Sequence, residues 1–428
     1  MDVNLAAHFK HGRQQLEGLP SVAKLSDQVM VILGLNPGPY TLQGTNCYLI
    51  GRGRKRVLVD TGEGRAEFVE SLVQVLHGED CEITDVILTH THVDHIGGLP
   101  DLVQRFPDLQ VWRCQPASGL SFGQLGTAED ATDPAQTLGK CRQTRFRPLK
   151  NGEVLKLHGS TLKAIHTPGH ANDHVCFWLE EEKALFTGDH ILGTGTVIVQ
   201  DLEAYMSSLE LLHSFRPERI YPGHGPMLQG DAARNRPRDY IQHRHLRLKK
   251  ALELLEVGAR SFEQLLDGVY GSSLPADAFL RHAARRNLEA SLEKLQKDGL
   301  ARRLSAHTWG MARKTSTNAG DKLQDRQKAS NGYAREGELR GVLQRARPQW
   351  STKDLAAAEA KLLSIGICTA EKLAEQLAAS VLNDNLRSGG FRAFAAETLQ
   401  ALREASSSFR CRRGVHPTQA VPESETVD

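Results

Sequence analysis

Three histidines and an aspartate lie within six residues in LTHTHVDHIGGLP, residues 88–100. In a helix, side chains two residues apart point about 200° apart around the axis, whereas in an extended chain they leave from the same face. The preceding stretch, ITDVILTH, is apolar and β-branched, as in a buried strand. The spacing therefore predicts that His90, His92 and Asp94 converge at the end of a strand, which is not expected of a histidine-rich surface turn.

Metal binding is the chemistry that suits these side chains. Zinc accepts imidazole nitrogens and carboxylate oxygens, and a catalytic zinc site keeps one position open for water. Further candidate ligands follow at three points, each after a short apolar run and beside a glycine: His170 in AIHTPGHANDH, Asp189 in ALFTGDHILG and His224 in RIYPGHGP. The chain has no G-x-S-x-G motif, so a water activated by metal is the expected nucleophile.

Four motifs, THTHVDH, TPGH, TGDH and YPGHG, together resemble those of the metallo-β-lactamase superfamily. Three further stretches, NPGPYTLQGTNCYLIG, GDHILGTGT and YIQHRHLRLKKALELL, are similar to the β-lactamase-like protein 2 group, whose members are described as zinc-dependent endoribonucleases. The resemblance covers roughly residues 20–312. It implies an α/β fold, the αβ/βα four-layer sandwich of the superfamily, followed by a winged-helix domain.

The resemblance also implies two zinc ions per chain. Seven ligands would come from the four motifs: His90, His92 and His170 for one ion, Asp94, His95 and His224 for the other, and Asp189 as a bridge between them. Asp60, in VLVDTG, would orient a ligand from behind. Asp94 and Asp189 would also be catalytic, through the metals that they hold.

Two further histidines lie beside these motifs. His174, four residues after His170, is a candidate to contact the substrate or to protonate the leaving group, with a structural role as the alternative. His190 follows Asp189 where relatives carry a cysteine or another small residue, so it either affects the choice of metal or points away from it. Asn46 and Tyr48 are expected on a strand, without a part in catalysis.

Two classes of function fit these predictions. The first is a zinc-dependent hydrolase, in which a hydroxide shared by two metals attacks either single-stranded RNA or a thioester of the glyoxalase II or acyl-carrier type. The resemblance and a basic C-terminal region favour RNA, whereas fungal relatives with similar motifs favour a thioester. The second class is a non-catalytic RNA-binding protein, against which the complete set of ligands argues.

The elements that position these residues alternate between strands and helices. Their predicted positions are 27–60 and 154–198 for strands, and 65–78 and 100–106 for helices. The stretch DLEAYMSSLELLHSF is an amphipathic helix with Asp201 as its N-cap. This alternation indicates an α/β catalytic domain over residues 1–238.

The chain becomes basic and helical after residue 238. Residues 234–314 hold 17 lysines and arginines against 9 aspartates and glutamates, whereas the whole chain has a net charge of only +2. The order of helices and a short two-stranded wing resembles the winged-helix tail of the same group, which would span residues 239–313. Four cations are predicted to hold single-stranded RNA beside the metals, unless they form an ordinary solvated helix face: Arg244, Arg247, Lys249 and Lys250.

Three segments complete the chain. Residues 314–335 have almost no apolar content and are predicted to be a linker. Residues 336–405 form a small all-α extension, a helical bundle without recognisable chemistry, for which docking of a protein partner or self-association is the expected role. Residues 406–428 are predicted to be a disordered tail.

Composition limits where the protein resides. No apolar run approaches the roughly 20 residues that a membrane span needs, which excludes membrane insertion. The seven cysteines form no C-x-x-C pair, which is typical of a reducing compartment. The N-terminus lacks the apolar core of a secretion signal, so the cytosol is the first expectation and the mitochondrial matrix the second.

Overall fold

The computed structural model describes residues 18–114, 134–312 and 339–406, apart from gaps at 142–143, 145, 158, 272–273, 275, 340, 352–353, 356, 359–360, 363–366, 368–369 and 389–391. The predicted linker over residues 314–335 and residues 407–428 of the predicted tail lie outside the described residues, whereas Ser406, the first residue of that tail, ends a helix. The chain divides into two compact units, residues 2–314 and residues 315–428, and each is described by itself. Among the described residues, no helix combines the length and the apolar character needed to cross a membrane.

The first sheet has seven strands in sequence order: β1 (Val22–Lys24), β2 (Val29–Leu33), β3 (Asn46–Ile50), β4 (Lys55–Val59), β5 (Glu82–Ile87), β6 (Gln110–Arg113) and β7 (Phe146–Pro148). Strands β1 to β4 pair antiparallel, and β4 to β7 pair parallel. Every residue of β2 and β3 is buried, because this part of the sheet is covered on both faces.

The second sheet has six strands: β8 (Val154–Leu157), β9 (Ser160–His166), β10 (Val175–Leu179), β11 (Ala184–Gly188), β12 (Arg219–Pro222) and β13 (Leu228–Gln229). A 3₁₀ helix, Glu180–Glu182, links β10 to β11. The pair β11–β12 is parallel and the others are antiparallel. One apolar core lies between the two sheets, where Val31 and Tyr48 of the first join Phe177 and Phe186 of the second.

Helices cover the outer faces of the sheets. Those of the first sheet are α1 (Ala66–Gly78), α2 (Val93–Ile96), α3 (Leu99–Arg105) and α4 (Pro134–Lys140). Phe68 of α1 and Leu102 of α3 join a second core with Leu49 of β3. On the second sheet lies α5 (Leu202–Ser214), and Asp201 caps it as predicted, since its Oδ1 accepts from two backbone N–H groups of the first turn at 2.9 and 3.0 Å. These layers confirm the αβ/βα sandwich.

A long helix, α6 (Gly230–Val257), leads from the sandwich into the winged-helix region. The predicted boundary between residues 238 and 239 lies inside α6, so a cut there would interrupt a continuous helix. The remaining elements are β14 (Arg260–Ser261), α7 (Phe262–Tyr270), α8 (Ala278–Lys297), β15 (Ala301–Ser305) and β16 (Thr308–Met311). The sheet order is β14–β16–β15, so the wing has one strand more than predicted.

The described residues of the C-terminal unit are helical and have a core of their own. They include α9 (Ala370–Ala378), α10 (Leu382–Ser388) and α11 (Ala396–Ser406). Leucines supply most of that core, among them Leu343, Leu373, Leu386 and Leu402. The extension is therefore all-α, and its expected role in docking or self-association remains a prediction.

Candidate metal centre

Five of the seven candidate ligands lie just beyond the end of a strand, and Asp94 and His95 lie in the short helix α2. His90 and His92 follow β5, His170 follows β9, Asp189 follows β11, and His224 follows β12. A backbone hydrogen bond joins the two sheets at this edge, since the Asn46 N–H donates to the Gly223 carbonyl at 2.7 Å. The loops therefore meet at one edge of the sandwich, where α/β proteins usually place their sites.

The first donor group consists of four side chains: His90, His92, His170 and Asp189. His92 Nδ1 lies 2.7 Å from His90 Nε2 and 3.1 Å from His170 Nε2. Asp189 Oδ2 lies 3.7 Å from His170 Nε2. The four donor atoms are all within 4.8 Å of one another, so one ion could contact them together.

The second donor group consists of Asp94, His95, Asp189 and His224. Asp94 Oδ2 lies 3.2 Å from His95 Nε2 and 3.1 Å from His224 Nε2. Asp189 Oδ1 lies 3.4 and 3.2 Å from the same two nitrogens. Asp189 thus belongs to both groups and directs one carboxylate oxygen towards each.

The predicted convergence of Asp94 with His90 and His92 was wrong. The extended chain ends at His92, which has φ −66° and ψ 147°, and α2 begins at Val93. The helical turn directs Asp94 and His95 to the second group while the two preceding histidines stay in the first. A strand model alone could not predict this change of direction.

Hydrogen bonds fix which nitrogen carries a proton in two rings of the first group, those of His90 and His170. Thr89 Oγ1 donates its single proton to Asp60 Oδ2 at 2.8 Å, so it accepts from the Nδ1–H of His90 at 3.0 Å. His170 Nδ1–H donates to the carbonyl of Ile198 at 2.7 Å. The Nε2 lone pairs of His90 and His170 are therefore both directed towards His92 Nδ1, an arrangement that a bound cation would stabilise.

Asp60, which follows β4, hydrogen-bonds to the second group from behind, in the place that the resemblance implied for it. Its Oδ2 accepts from His95 Nδ1–H at 2.7 Å, and its Oδ1 accepts from the Thr89 N–H at 2.8 Å. The lone pair of His95 Nε2 consequently points at the carboxylates of Asp94 and Asp189. Asp60 is buried and holds φ at +58°, in the left-handed region that residues with a side chain rarely adopt.

Electrostatics differ between the two groups. Burial lowers the pKa of His92 to about 3 and that of His90 well below its usual value, so both rings are neutral. Burial opposes charge at His224 and His95 as well, but the Asp189 and Asp94 carboxylates outweigh it and raise the pKa of His224 to about 10 and that of His95 well above its usual value. A divalent cation would replace those protons.

The second group also contains buried atoms without a normal hydrogen bond. Neither His95 Nε2 nor Asp189 Oδ1 has a hydrogen-bond partner among the described residues. Burying such polar atoms costs free energy unless a partner satisfies them. The donor set, its lone pairs and its two half-buried carboxylates therefore fit metal ions, and nitrogen with carboxylate oxygen is a set that zinc accepts.

Residues outside the ligand motifs hold the loop of His224. Asn46 Nδ2 donates to the carbonyls of Pro222 and Gly225 at 3.0 and 2.8 Å, and Tyr48 Oη donates to Pro222 at 2.7 Å. Gly223 is required here, because a Cβ at this position would lie 2.6 Å from Asp189 Oδ1. Asn46 and Tyr48 lie on β3 as predicted, but their hydrogen bonds to the loop of His224 were not predicted.

Comparison with known proteins gives the same assignment. The metallo-β-lactamase superfamily matches residues 40–224, and the β-lactamase-associated winged-helix domain matches residues 261–309. A lactamase-like protein from Emericella nidulans, aptB, is 39% identical over 58% of this chain and 72% of its own length. The chain belongs to the metallo-β-lactamase superfamily.

Other relatives of this chain differ in their names. A β-lactamase-like protein 2 homolog from Caenorhabditis elegans is 37% identical, covering 65% of this chain and 88% of the relative. A protein from Emericella nidulans named thioesterase pkgB is 40% identical, covering 60% and 67%. The crystal structure of a β-lactamase domain protein from Burkholderia ambifaria matches with a TM-score of 0.57 at 19% identity, over 69% of this chain and 96% of that one, which supports the fold alone.

His174 lies inside the metallo-β-lactamase domain and does not face the solvent. Its ring is fully buried, with Nδ1 2.9 Å from Thr167 Oγ1, and packs 5.1 Å from the ring of His90. Burial and the neighbouring His190 lower its pKa well below the usual value. A neutral, inaccessible ring is a poor proton donor, so the predicted catalytic role is corrected in favour of the structural alternative.

His190 belongs to neither donor group and packs on the side of α5. Its fully buried ring packs 4.4 Å from Tyr205 of α5 and 5.4 Å from His174. Burial lowers its pKa to about 3, and neither ring nitrogen has a hydrogen-bond partner among the described residues. Of the two alternatives for His190, the structure supports the one in which the ring does not contact the metals.

The four cations predicted to bind RNA do not form one surface. Arg244 is buried and donates to the Val197 carbonyl at 2.8 Å, and Arg247 is buried with its guanidinium 4.3 Å from the ring of Tyr270. The predicted RNA contact is wrong for Arg244 and Arg247, because their guanidinium groups are buried against other residues of the protein. Lys249 and Lys250 are exposed on α6, where a phosphate could reach them. Sequence spacing did not separate the inner from the outer face of this long basic helix.

Proposed function

We propose that this protein is a zinc-dependent hydrolase that uses two metal ions. The observation that supports the proposal most directly is the position of Asp189, which directs one oxygen to each of two donor groups. Neutral histidines make up most of the first group, and carboxylates contribute more charge to the second. Together they suit a pair of divalent cations that share one carboxylate.

When bound, such a pair of cations activates a water and stabilises both the attacking and the leaving oxygen. The residues of the chain fix the geometry of this reaction. Asp60 keeps the ring of His95 in one orientation and one tautomer, and the Ile198 carbonyl does the same for His170. Because His174 is buried, a proton for the leaving group has to come from elsewhere in the site or from solvent.

Single-stranded RNA is the substrate that we propose first. The motifs of the chain are similar to those of the β-lactamase-like protein 2 group, and the worm homolog of that name aligns over 88% of its length. A winged-helix region follows the catalytic domain. Lys249 and Lys250 are exposed on α6, where Lys249 Nζ lies 3.9 Å from Glu253 Oε1. Positive charge on an exposed surface favours a polyanion such as RNA.

A thioester is the second candidate, and the relatives supply the observation that favours it. Thioesterase pkgB is 40% identical to this chain over 60% of its residues. Activated water can attack a carbonyl carbon as well as a phosphorus, so the donor groups serve both reactions. A non-catalytic RNA-binding protein is a poorer fit, because both donor groups retain every side chain that they need.

A substrate panel separates these functions. The zinc-loaded protein is incubated with single-stranded RNA, single-stranded DNA, acyl-glutathione and an acyl-carrier thioester, with an Asp189→Asn variant as the control for contaminating enzymes. Cleavage of RNA that is absent from the variant supports the first proposal. Thioester turnover without RNA cleavage would transfer the assignment to the second candidate, and no hydrolysis of any substrate would contradict both.

A further inference from the structure

The segment of residues 192–199 follows Asp189, and side chains of α6 hold it by hydrogen bonds. The Leu192 N–H donates to Tyr240 Oη at 3.1 Å, and Arg244 donates to the Val197 carbonyl at 2.8 Å. Among the described residues, 196–199 belong to no helix or strand. Their backbone polar groups therefore depend on side chains of other elements for hydrogen bonds.

Asn287, in the middle of α8, makes two hydrogen bonds to this segment. Its Oδ1 accepts from the Val199 N–H at 3.1 Å, and its Nδ2 donates to the Val197 carbonyl at 3.0 Å. The side chain is only 6% exposed. One amide thus binds the residues on both sides of Ile198, and an amide rotated by 180° would lose both bonds.

Ile198 connects this contact to the metal centre. Its carbonyl accepts from His170 Nδ1–H at 2.7 Å, and that bond directs the lone pair of His170 Nε2 into the first donor group. A small shift of the Ile198 carbonyl would rotate the imidazole ring or break the bond that fixes its tautomer. The orientation of a candidate ligand therefore depends on a backbone that the winged-helix region holds.

We infer that Asn287 is a positioning residue for His170, acting through the backbone of residues 197–199; this inference rests on the metal centre of the proposed function. Asparagine is a poor residue for a helix interior, so packing alone does not explain its place in α8. Without Asn287, the buried N–H of Val199 loses its acceptor, which the segment can relieve only by moving. Through Asn287, the winged-helix region therefore helps to position a ligand of the metal centre.

Cobalt binding tests the inference on the full-length chain. Two variants remove the amide: Asn287→Leu, which keeps a similar volume, and Asn287→Ser, which leaves room for a water. The control is Ser291→Ala, because Ser291 is equally buried one turn along α8 and its Oγ donates to the Asn287 carbonyl and not to the segment. After metal removal, the affinity for each Co²⁺ is measured by chelator competition and by the visible absorption of the bound ion.

We expect the amide variants to lose affinity about tenfold to a hundredfold for one of the two ions and to retain the other. Asp94→Asn, which alters only the second donor group, identifies the absorption band of that group, and this band should be the unaffected one. The Ser291→Ala variant should bind both ions like the wild type. If Asn287→Leu does not fold, Asn287→Ser decides the question.

Wild-type affinity for both ions in a folded amide variant would overturn the inference. Equal losses at both ions would also overturn it, because they would indicate a general destabilisation. The proposed function fails by a different result, namely a wild-type protein that binds two Co²⁺ and hydrolyses none of the substrates.

Discussion

At the scale of single residues, Asp60 combines a strained backbone with two roles in hydrogen bonding. Its carboxylate accepts from His95 Nδ1–H and from Thr89, whose Oγ1 in turn faces His90. One side chain therefore connects the two donor groups. Its left-handed φ of +58° places the carboxylate where both partners reach it.

Asp60→Asn should lower metal affinity about tenfold to a hundredfold, because an amide nitrogen directed at His95 or Thr89 cannot accept their protons. Isothermal titration of metal-free protein with Zn²⁺ measures the effect. Asp201→Asn is the matched control, since asparagine caps a helix as well as aspartate and the residue lies outside the site. Unchanged affinity of the Asp60→Asn variant would show that Asp60 does not orient the ligands.

His190 gives a prediction on pH. Burial lowers the pKa of this ring from 6.5 to about 3 in the folded protein. Between these values the unfolded chain binds a proton that the folded chain does not, so the free energy of unfolding should fall as the pH falls through this window.

The comparison with His190→Leu isolates this contribution. In metal-free protein between pH 6 and 4, the stability of the variant should decline less steeply than that of the wild type, by up to about 1.4 kcal/mol per pH unit. Urea denaturation at each pH measures both curves. Parallel curves would mean that the ring is already protonated, or solvated, in the folded protein.

The sequence predicted which residues would come together at the metal centre, but not the direction in which each side chain points. The order and spacing of the histidines indicated a metal centre, and Asp60 was placed correctly behind it. The burial of His174 could not be predicted, because it depends on the rings of His90 and His190, which come from other parts of the chain. The support of His170 by the Ile198 carbonyl involves a backbone group, which leaves no signal in the residue types.

At the scale of elements, α6 shows that sequence periodicity predicts a helix but not which of its charged residues are buried. The helix was predicted only from residue 239, although it begins at Gly230, whereas the helices at residues 66–78 and 99–105 were predicted to within one residue. Which arginines of α6 point inwards was not, because Arg244 and Arg247 are buried with aromatic partners, Tyr205 and Tyr270. Arginine packs on aromatic faces, so charge on a helix is an unreliable guide to exposure.

The exposed face of α6 gives a prediction on RNA. Reversing the charges of Lys249 and Lys250 to glutamate should raise the KM for long single-stranded RNA and spare a dinucleotide too short to reach α6. If each lysine contacts one phosphate, the slope of log affinity against log salt should lose about 1.4 in magnitude. The control reverses Lys55 and Lys156, which are exposed elsewhere. If the Lys249 and Lys250 variant has the same KM and salt slope as the control variant, α6 does not bind RNA.

At the scale of the whole molecule, the two compact units have separate cores. All residues of the donor groups lie in the unit that ends at residue 314, and the leucine-rich core of the helical extension lies in the other. The sequence located this division through the apolar-poor stretch that begins at residue 314. The role of the extension could not be predicted, since its leucines explain a core and no chemistry.

Removing residues 315–428 should leave metal content and the hydrolysis of a small substrate within about twofold of the full chain, because no donor is lost. Elemental analysis and steady-state kinetics compare the two proteins. A truncated chain that aggregates or loses metal would show that the helical extension stabilises the catalytic unit.

The central claim is that two donor groups share Asp189 and bind two metal ions. Elemental analysis of the purified protein, combined with its hydrolytic rate, tests the claim most directly. We predict about two divalent ions per chain, and we predict that Asp189→Asn lowers the metal content and abolishes hydrolysis together, because this substitution alters both groups. A metal-free protein with full activity, or an Asp189→Asn variant that keeps both ions and its activity, would contradict the claim.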